Sequence, residues 1–393
     1  MVQQMLAFIR KRRLVTALAR RTIALAALLI LLLGCSPPAT RPAPAPPTPP
    51  PTARPTLPPT AQPTLAPTQP SIEHRPEGFS DEQIATLASL VQADDYPLYT
   101  MRYYGDYEDL QSFLEDVDIQ CLSHAQPTTP WACSLFAALG DSEHMLYGRN
   151  FDWEYSPAVL LFTDPPSGYA SVSMVDIAYL GFAGSRAGEL LDLPLAERED
   201  LLYAPFLPFD GMNERGLAVG MAAVPDSATP YDANMETIDS LMVIRRMLDG
   251  AATVDEAVAI MRGYNIDWGG GPPIHYLIAD CSGRAALVEF YQGETVVLPN
   301  EQPWHVGTNF LRSAAGESAE GYCWRYDEIG RQLSETGGRL SAQGATDLLN
   351  AVSQDGTQWS IVYGISSGEI SVTMGRAYEH VHAFGWGLGY DAP

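Results

Sequence analysis

Cys133 heads a strand-like run, residues 133–139, and a second such run, residues 144–151, returns after Gly140-Asp141-Ser142. Antiparallel neighbours joined by a short turn bring the end of the second strand back beside the start of the first. The end of the second strand reads Gly148-Arg149-Asn150-Phe151-Asp152-Trp153. The hairpin therefore returns a guanidinium, Arg149, and a carboxylate, Asp152, to the neighbourhood of a thiol. A free thiol, with a pKa of about 8.5, is mostly protonated near neutrality and needs a base before it attacks a carbonyl. No histidine is obviously placed to serve. An α-amine, with a pKa of about 7.7–8.0, suits that task, and it would lie on the same residue if Cys133 were the first of its chain. That arrangement requires cleavage between Ala132 and Cys133, by attack of the thiol on the preceding carbonyl and hydrolysis of the thioester formed. The small side chain of Ala132 leaves that carbonyl open. The blander reading is equally concrete. A lone strand cysteine is commonly a small buried apolar residue, and Arg149 with Asp152 also reads as a structural ion pair at a strand end.

The elements that must position these groups follow from periodicity. Residues 80–95 carry helical spacing (Ile84, Leu87, Leu90, Val91) behind an N-cap at Ser80, and residues 107–117 read as a second helix. Strand-like runs cover residues 158–163, 171–177 and 217–223. Two helices follow, 240–248 and 254–262, then strands at 275–279, 285–291 and 294–298. Helices at 324–333 and 342–352 precede a last antiparallel set at 358–365, 370–374 and 378–384. Blocks of strands separated by blocks of helices point to an α+β domain of antiparallel sheets covered by helices, not to alternating βαβ units.

That domain does not use the whole chain of 393 residues. Residues 1–34 read as an export signal: Arg10, Lys11, Arg12, Arg13, Arg20 and Arg21 precede an apolar run, 23–33, too short for a comfortable bilayer span. Leu32-Leu33-Gly34-Cys35 has the pattern of a bacterial lipoprotein cleavage site, with Cys35 acylated and tied to a membrane. Residues 35–70 form a Pro/Thr-rich linker, and positions 36–70 hold 15 of the 32 prolines. Such a stretch cannot bury enough surface to offset chain ordering. Extended, it reaches roughly 100 Å and lifts the following domain off the membrane. Residues 71–132 read as a helical propeptide or small partner chain, and 133–393 as the catalytic domain.

The net charge of −24 excludes phosphate backbones as partners, and no basic aromatic patch offsets it. Cys121, Cys281 and Cys323 allow one disulfide outside the cell, with the pair unspecified. Their spacing matches neither zinc nor redox motifs, so no metal or cofactor is expected. Gly364-Ile365-Ser366-Ser367-Gly368 has the letters of a serine-hydrolase elbow but lies between two strands, which makes it a hairpin turn. Gly269-Gly270-Gly271 lacks the lysine and hydroxyl residue of a phosphate loop. His380 and His382 share a strand face without a third metal ligand.

From Cys133-Ser134 through the Gly148–Trp153 segment, the chain resembles the mature start of choloylglycine hydrolases and penicillin V acylases. These are N-terminal-nucleophile hydrolases of linear amides, with acid ceramidase and N-acylethanolamine amidase as relatives. Further landmarks follow in order: Asp210-Gly211-Met212-Asn213-Glu214-Arg215-Gly216-Leu217, Thr308-Asn309, Trp324-Arg325-Tyr326 and Thr357-Gln358-Trp359-Ser360-Ile361-Val362-Tyr363. The resemblance implies a four-layer αββα sandwich of two antiparallel sheets and hydrolysis of a small N-acyl amide through an acyl-thioester. It implies that Cys133 is nucleophile and, through its amine, base, and that Asp152 orients the amine. Arg149 would stabilise the thiolate, Asn309 would supply an oxyanion donor, and Arg325 would support the site. Taken alone, Asn309 also reads as a turn former and Arg325 as a surface charge at a helix start. Where bile-salt hydrolases carry a second active-site asparagine, this chain has Ala222-Ala223-Val224, which leaves a backbone N–H as second donor. The contrasting expectations are a surface lipoprotein that uses an inactive copy of this fold for binding, and an acyltransferase.

Overall fold

The computed structural model describes residues 78–107, 133–225, 227–316 and 318–386. The expected signal, the Cys35 lipidation site, the linker, Ala132 and all but the first residue of the expected helix 107–117 lie outside them.

Helix α1 (Asp81–Ala88) starts where the sequence places it. Ser80 Oγ accepts the Gln83 N–H at 3.2 Å while Gln83 Oε1 accepts the Ser80 N–H at 2.9 Å, a reciprocal cap. The helix stops well short of residue 95. Val91–Asp94 is strand β1, and Asp94 Oδ1 accepts the Tyr96 N–H at 2.8 Å, turning the chain ahead of Pro97 into β2 (Leu98–Arg102). The segment before Cys133 is thus part helix and part sheet, not helical throughout.

Two sheets form the centre. The first contains nine strands in the order β1-β2-β5-β6-β7-β8-β11-β12-β13, adding β5 (Ala158–Thr163), β6 (Ser171–Asp176), β7 (Asp210–Asn213), β8 (Ala218–Ala223), β11 (Ile274–Ala279), β12 (Ala285–Tyr291) and β13 (Glu294–Pro299). The second contains six, in the order β14-β3-β4-β15-β16-β17: β14 (Trp304–Gly307), β3 (Ser134–Ala138), β4 (Leu146–Asp152), β15 (Thr357–Gly364), β16 (Ile370–Met374) and β17 (His382–Phe384). All pairs in these sheets are antiparallel except β2 with β5. A two-stranded parallel ribbon, β9 (Thr237–Asp239) with β10 (Asn265–Asp267), stands apart from both. Sequence reading missed β1, β2, β7, β9, β10 and β14, all of five residues or fewer, and extended β17 four residues too early.

Outer layers complete a four-layer α+β sandwich. Helices α2 (Met242–Gly250) and α3 (Val254–Met261) cover the nine-stranded sheet; α4 (Trp324–Thr336) and α5 (Ala342–Ala351) cover the six-stranded one. A smaller core of Phe136, Leu146, Ile329, Leu333, Leu348 and Val362 lies beneath α4 and α5, and the main core fills the rest. The sheets meet closely at Gly220, where a Cβ would stand 2.8 Å from the Tyr147 hydroxyl. Tyr147 instead crosses the interface to donate to the Leu277 carbonyl at 2.9 Å. The Asp210–Leu217 landmark has a clear local function: Asn213 Nδ2 donates to the Leu248 and Ala251 carbonyls at 2.9 and 2.7 Å, closing the end of α2. Asn150 does the equivalent on the other face, donating to the Leu349 carbonyl of α5 at 2.8 Å.

Candidate active site

Cys133 directly precedes β3, is only 3% exposed, and lines a cavity of about 300 Å³ between the sheets. The expected hairpin is formed, with Ser134 opposite Asn150 and Leu135 opposite Arg149. Burial pushes the Cys133 thiol above its ordinary pKa, opposed by the Arg149 and Arg325 charges and by a hydrogen bond from the Asp152 backbone. The thiol form therefore dominates. None of the residues lining the cavity is a histidine.

Asp152 ends β4 and is buried. Thr357 donates its hydroxyl proton to Asp152 Oδ1, whereas Oδ2 has no hydrogen-bond partner among the described residues. An unpaired buried carboxylate oxygen is costly. Burial raises the Asp152 pKa to about 7 despite the Thr357 hydrogen bond and the Arg325 and Arg149 charges.

Arg149 does not pair with Asp152. Its Nη1 donates to the Asp210 carboxylate on β7 of the facing sheet and to the carbonyl of Phe209 just ahead of that strand, the latter at 2.7 Å. Asp210 also accepts from the Tyr363 hydroxyl at 2.5 Å and from Trp359 Nε1 at 3.4 Å. A fully buried cation is thus held by a carboxylate, while its Nε and Nη2 have no partner among the described residues. The ion pair read between Arg149 and Asp152 is replaced by this inter-sheet pair. Its acceptor, Asp210, opens one of the landmarks, and nothing in the sequence assigns it a role. Its partners Tyr363 and Trp359 belong to a strand some 150 residues away, which single-sequence spacing does not connect.

Arg325 is no surface charge. From the first turn of α4 it reaches inward, donating through Nη1 to the Cys133 carbonyl and to Ser134 Oγ (2.9 Å), and through Nη2 to Asn309 Oδ1 (3.0 Å). Asn309 Nδ2 in turn donates to the Ala223 carbonyl at 2.7 Å. Asn309 is therefore oriented from both sides, with one amide hydrogen left for another acceptor. The N–H of Val224 is occupied by the Pro273 carbonyl at 2.8 Å, so it is not the second donor in this structure. The five expected residues form one linked group: Cys133 is touched by Asp152 and Arg325, feels the charge of Arg149, and is joined to Asn309 through Arg325.

Among the described residues, Cys281 and Cys323 lie outside the lining of this cavity. Cys281 and Cys323 carry free thiols, and Cys121 lies outside the described residues. The Gly364–Gly368 segment is the turn between β15 and β16, and His382 Nε2 bonds Asp94 Oδ2 at 2.5 Å. The Gly269-Gly270-Gly271 loop forms part of the cavity wall.

Residues 208–320 match the family profile of acyl-coenzyme A:6-aminopenicillanic acid acyl-transferase. Among solved structures, the chain is similar to a mutant of conjugated bile acid hydrolase from Clostridium perfringens (16% identity, TM-score 0.47, covering 64% of this chain and 92% of that one). It is also similar to penicillin V acylase from Agrobacterium tumefaciens (15% identity, TM-score 0.42, covering 65% and 93%). Within the four-layer sandwich the profile match spans residues 208–320, from just ahead of β7 to just ahead of α4.

Proposed function

We propose that this chain is a cysteine amidohydrolase of linear N-acyl amides, matured by self-cleavage at Ala132–Cys133. The observation that carries this reading is the buried, unpartnered Asp152 Oδ2 beside a buried Cys133 thiol. A new α-ammonium at Cys133 would supply the missing donor and favour the ionised carboxylate.

Maturation proceeds by attack of Cys133 Sγ on the Ala132 carbonyl carbon. The peptide C–N bond breaks, the α-nitrogen takes the thiol proton, and Ala132 is left as a thioester on the sulfur. Water cleaves the thioester, releasing the Ala132 carboxylate and restoring the thiol. In turnover the neutral α-amine takes the thiol proton as sulfur attacks the substrate carbonyl. Asn309 donates to the developing oxyanion. The C–N bond breaks with the proton passed to the leaving amine, and water, deprotonated by the α-amine, hydrolyses the acyl-thioester. Arg149 lowers the cost of the thiolate, and Arg325 fixes Cys133 and Asn309 relative to one another.

Acyl transfer to an amine is the second reading, favoured by the matched acyl-transferase family; it differs only in what attacks the thioester. Cys35 would carry the lipid that holds the enzyme at a membrane. A panel of chromogenic acyl amides, with and without an added amine acceptor, tests both readings. Release of amine that is lost in Cys133→Ala supports hydrolysis, and capture of the acyl group by the acceptor supports transfer. Unchanged release by Cys133→Ser removes both.

A further inference from the structure

The cavity that Cys133 lines is unusual in its charge. Its walls include the aromatic rings of Trp153, Tyr155, Tyr179 and Trp268, and three carboxylates, Glu154, Asp176 and Asp239. Arg149 is the one Lys, Arg or His residue among its lining residues, and that guanidinium is already held by Asp210. Asp176 is buried at the end of β6, where its Oδ1 accepts the Ala178 N–H at 2.9 Å. Asp239 Oδ1 accepts the Leu241 N–H at 2.7 Å. Its Oδ2 stands 2.8 Å from the position a Cβ would occupy at Gly269, whose φ of +60° also favours glycine. The triglycine loop therefore brings backbone against the Asp239 carboxylate without a side chain between them.

Aromatic faces beside carboxylates stabilise a desolvated cation. Burial raises the pKa of Asp176, to about 7, and of Asp239, and a cation seated beside them draws both into the charged form; the charged walls repel a carboxylate or sulfonate, and the chain's net charge of −24 adds to that field. We propose that the half of the substrate that fills this cavity is an apolar body ending in a cationic nitrogen, and that Asp176 and Asp239 select it. This rests on the amidohydrolase reading only for the identity of the bond cut. It directs the search for substrates towards acyl amides bearing an ammonium group and away from N-acyl amino acids and other anionic amides.

The test uses the Cys133→Ala protein, which would bind an amide without cutting it, and isothermal titration with length-matched probes. One set places an ammonium, a hydroxyl or a carboxylate at the end of the amine half; a second places them at the end of the acyl half. In one of the two sets the ammonium probe is expected to bind about tenfold tighter than the hydroxyl probe, with the carboxylate probe weakest. Asp176→Asn and Asp239→Asn keep a capping acceptor, so the fold is retained. Each is expected to remove most of the cation preference and leave the hydroxyl probe unchanged. Equal or tighter binding of the carboxylate probe in both sets overturns the proposal, as does a cation preference that survives both substitutions. Cation-selective binding without turnover by the native chain would instead remove the amidohydrolase reading and leave this one standing.

Discussion

At the scale of single residues, burial shifts the protonation of groups in and beside the cavity. Asp152 and Asp176 both have folded-state pKa values raised to about 7, each chiefly by burial. A raised carboxylate pKa means that the folded chain holds a proton the unfolded chain gives up near pH 4. Stability from these groups is therefore fully present below about pH 4 and declines as pH rises towards 7. In uncleaved Cys133→Ala protein, urea melts at pH 5 and pH 8 should show this decline, and Asp152→Asn should flatten it; an unchanged slope would contradict the assignment. In the proposed mechanism Arg325 is a positioning residue. Arg325→Lys leaves a charge but not the fork that reaches Cys133, Ser134 and Asn309 together, so kcat should fall by roughly 10–100-fold with KM little changed. Asn309→Ala should cost about 10²–10³ in kcat, the usual loss on removing an oxyanion donor. A drop confined to KM in either variant would show that these side chains bind substrate instead.

At the scale of elements, residues 91–102, ahead of Cys133, are built into the nine-stranded sheet. Strand β2 lies between β1 and β5, and Leu98, Tyr99, Met101 and Tyr103 join the main core. The β1–β2 turn reaches the other sheet, with Tyr96 Oη donating to Gln358 Oε1 at 2.9 Å, and the Tyr96 ring packs edge-on against the cavity residue Tyr155. After cleavage this fragment should remain as a non-covalent partner, co-eluting with the large fragment on gel filtration and separating only in denaturant. Leu98→Ala should cost about 2–5 kcal/mol and lower the urea midpoint of that separation. A large fragment that stays folded and active by itself would refute this. The sequence reveals the long strands and the helices because their apolar periodicity is strong: β5, β12 and β16 fall on the expected residues. It hides β1, β2 and β7, whose four or five residues gain their stability from neighbours distant in the chain. The site follows the same division. Cys133, Arg149 and Asp152 lie on one hairpin and can be brought together by reading along the chain. The Arg149–Asp210 pair, the Thr357 hydrogen bond and the inward reach of Arg325 depend on contacts between sheets and layers, which no local spacing encodes.

At the scale of the whole molecule, net charge acts on whatever approaches the site. A net charge of −24 steers cations towards the cavity and is screened by salt. For an ammonium-bearing amide, kcat/KM should fall as ionic strength rises, while a neutral analogue should be insensitive. The proposed anchor predicts that Cys35→Ala moves the protein from the membrane fraction to the soluble one without altering turnover. The central claim is that sulfur and base belong to one residue freed by chain cleavage. Intact-mass analysis of protein expressed from residue 71 onward tests it most directly. The expected result is a fragment running from Cys133 to Pro393, absent from the Cys133→Ala protein. A single unbroken chain that hydrolyses acyl amides at full rate would contradict it.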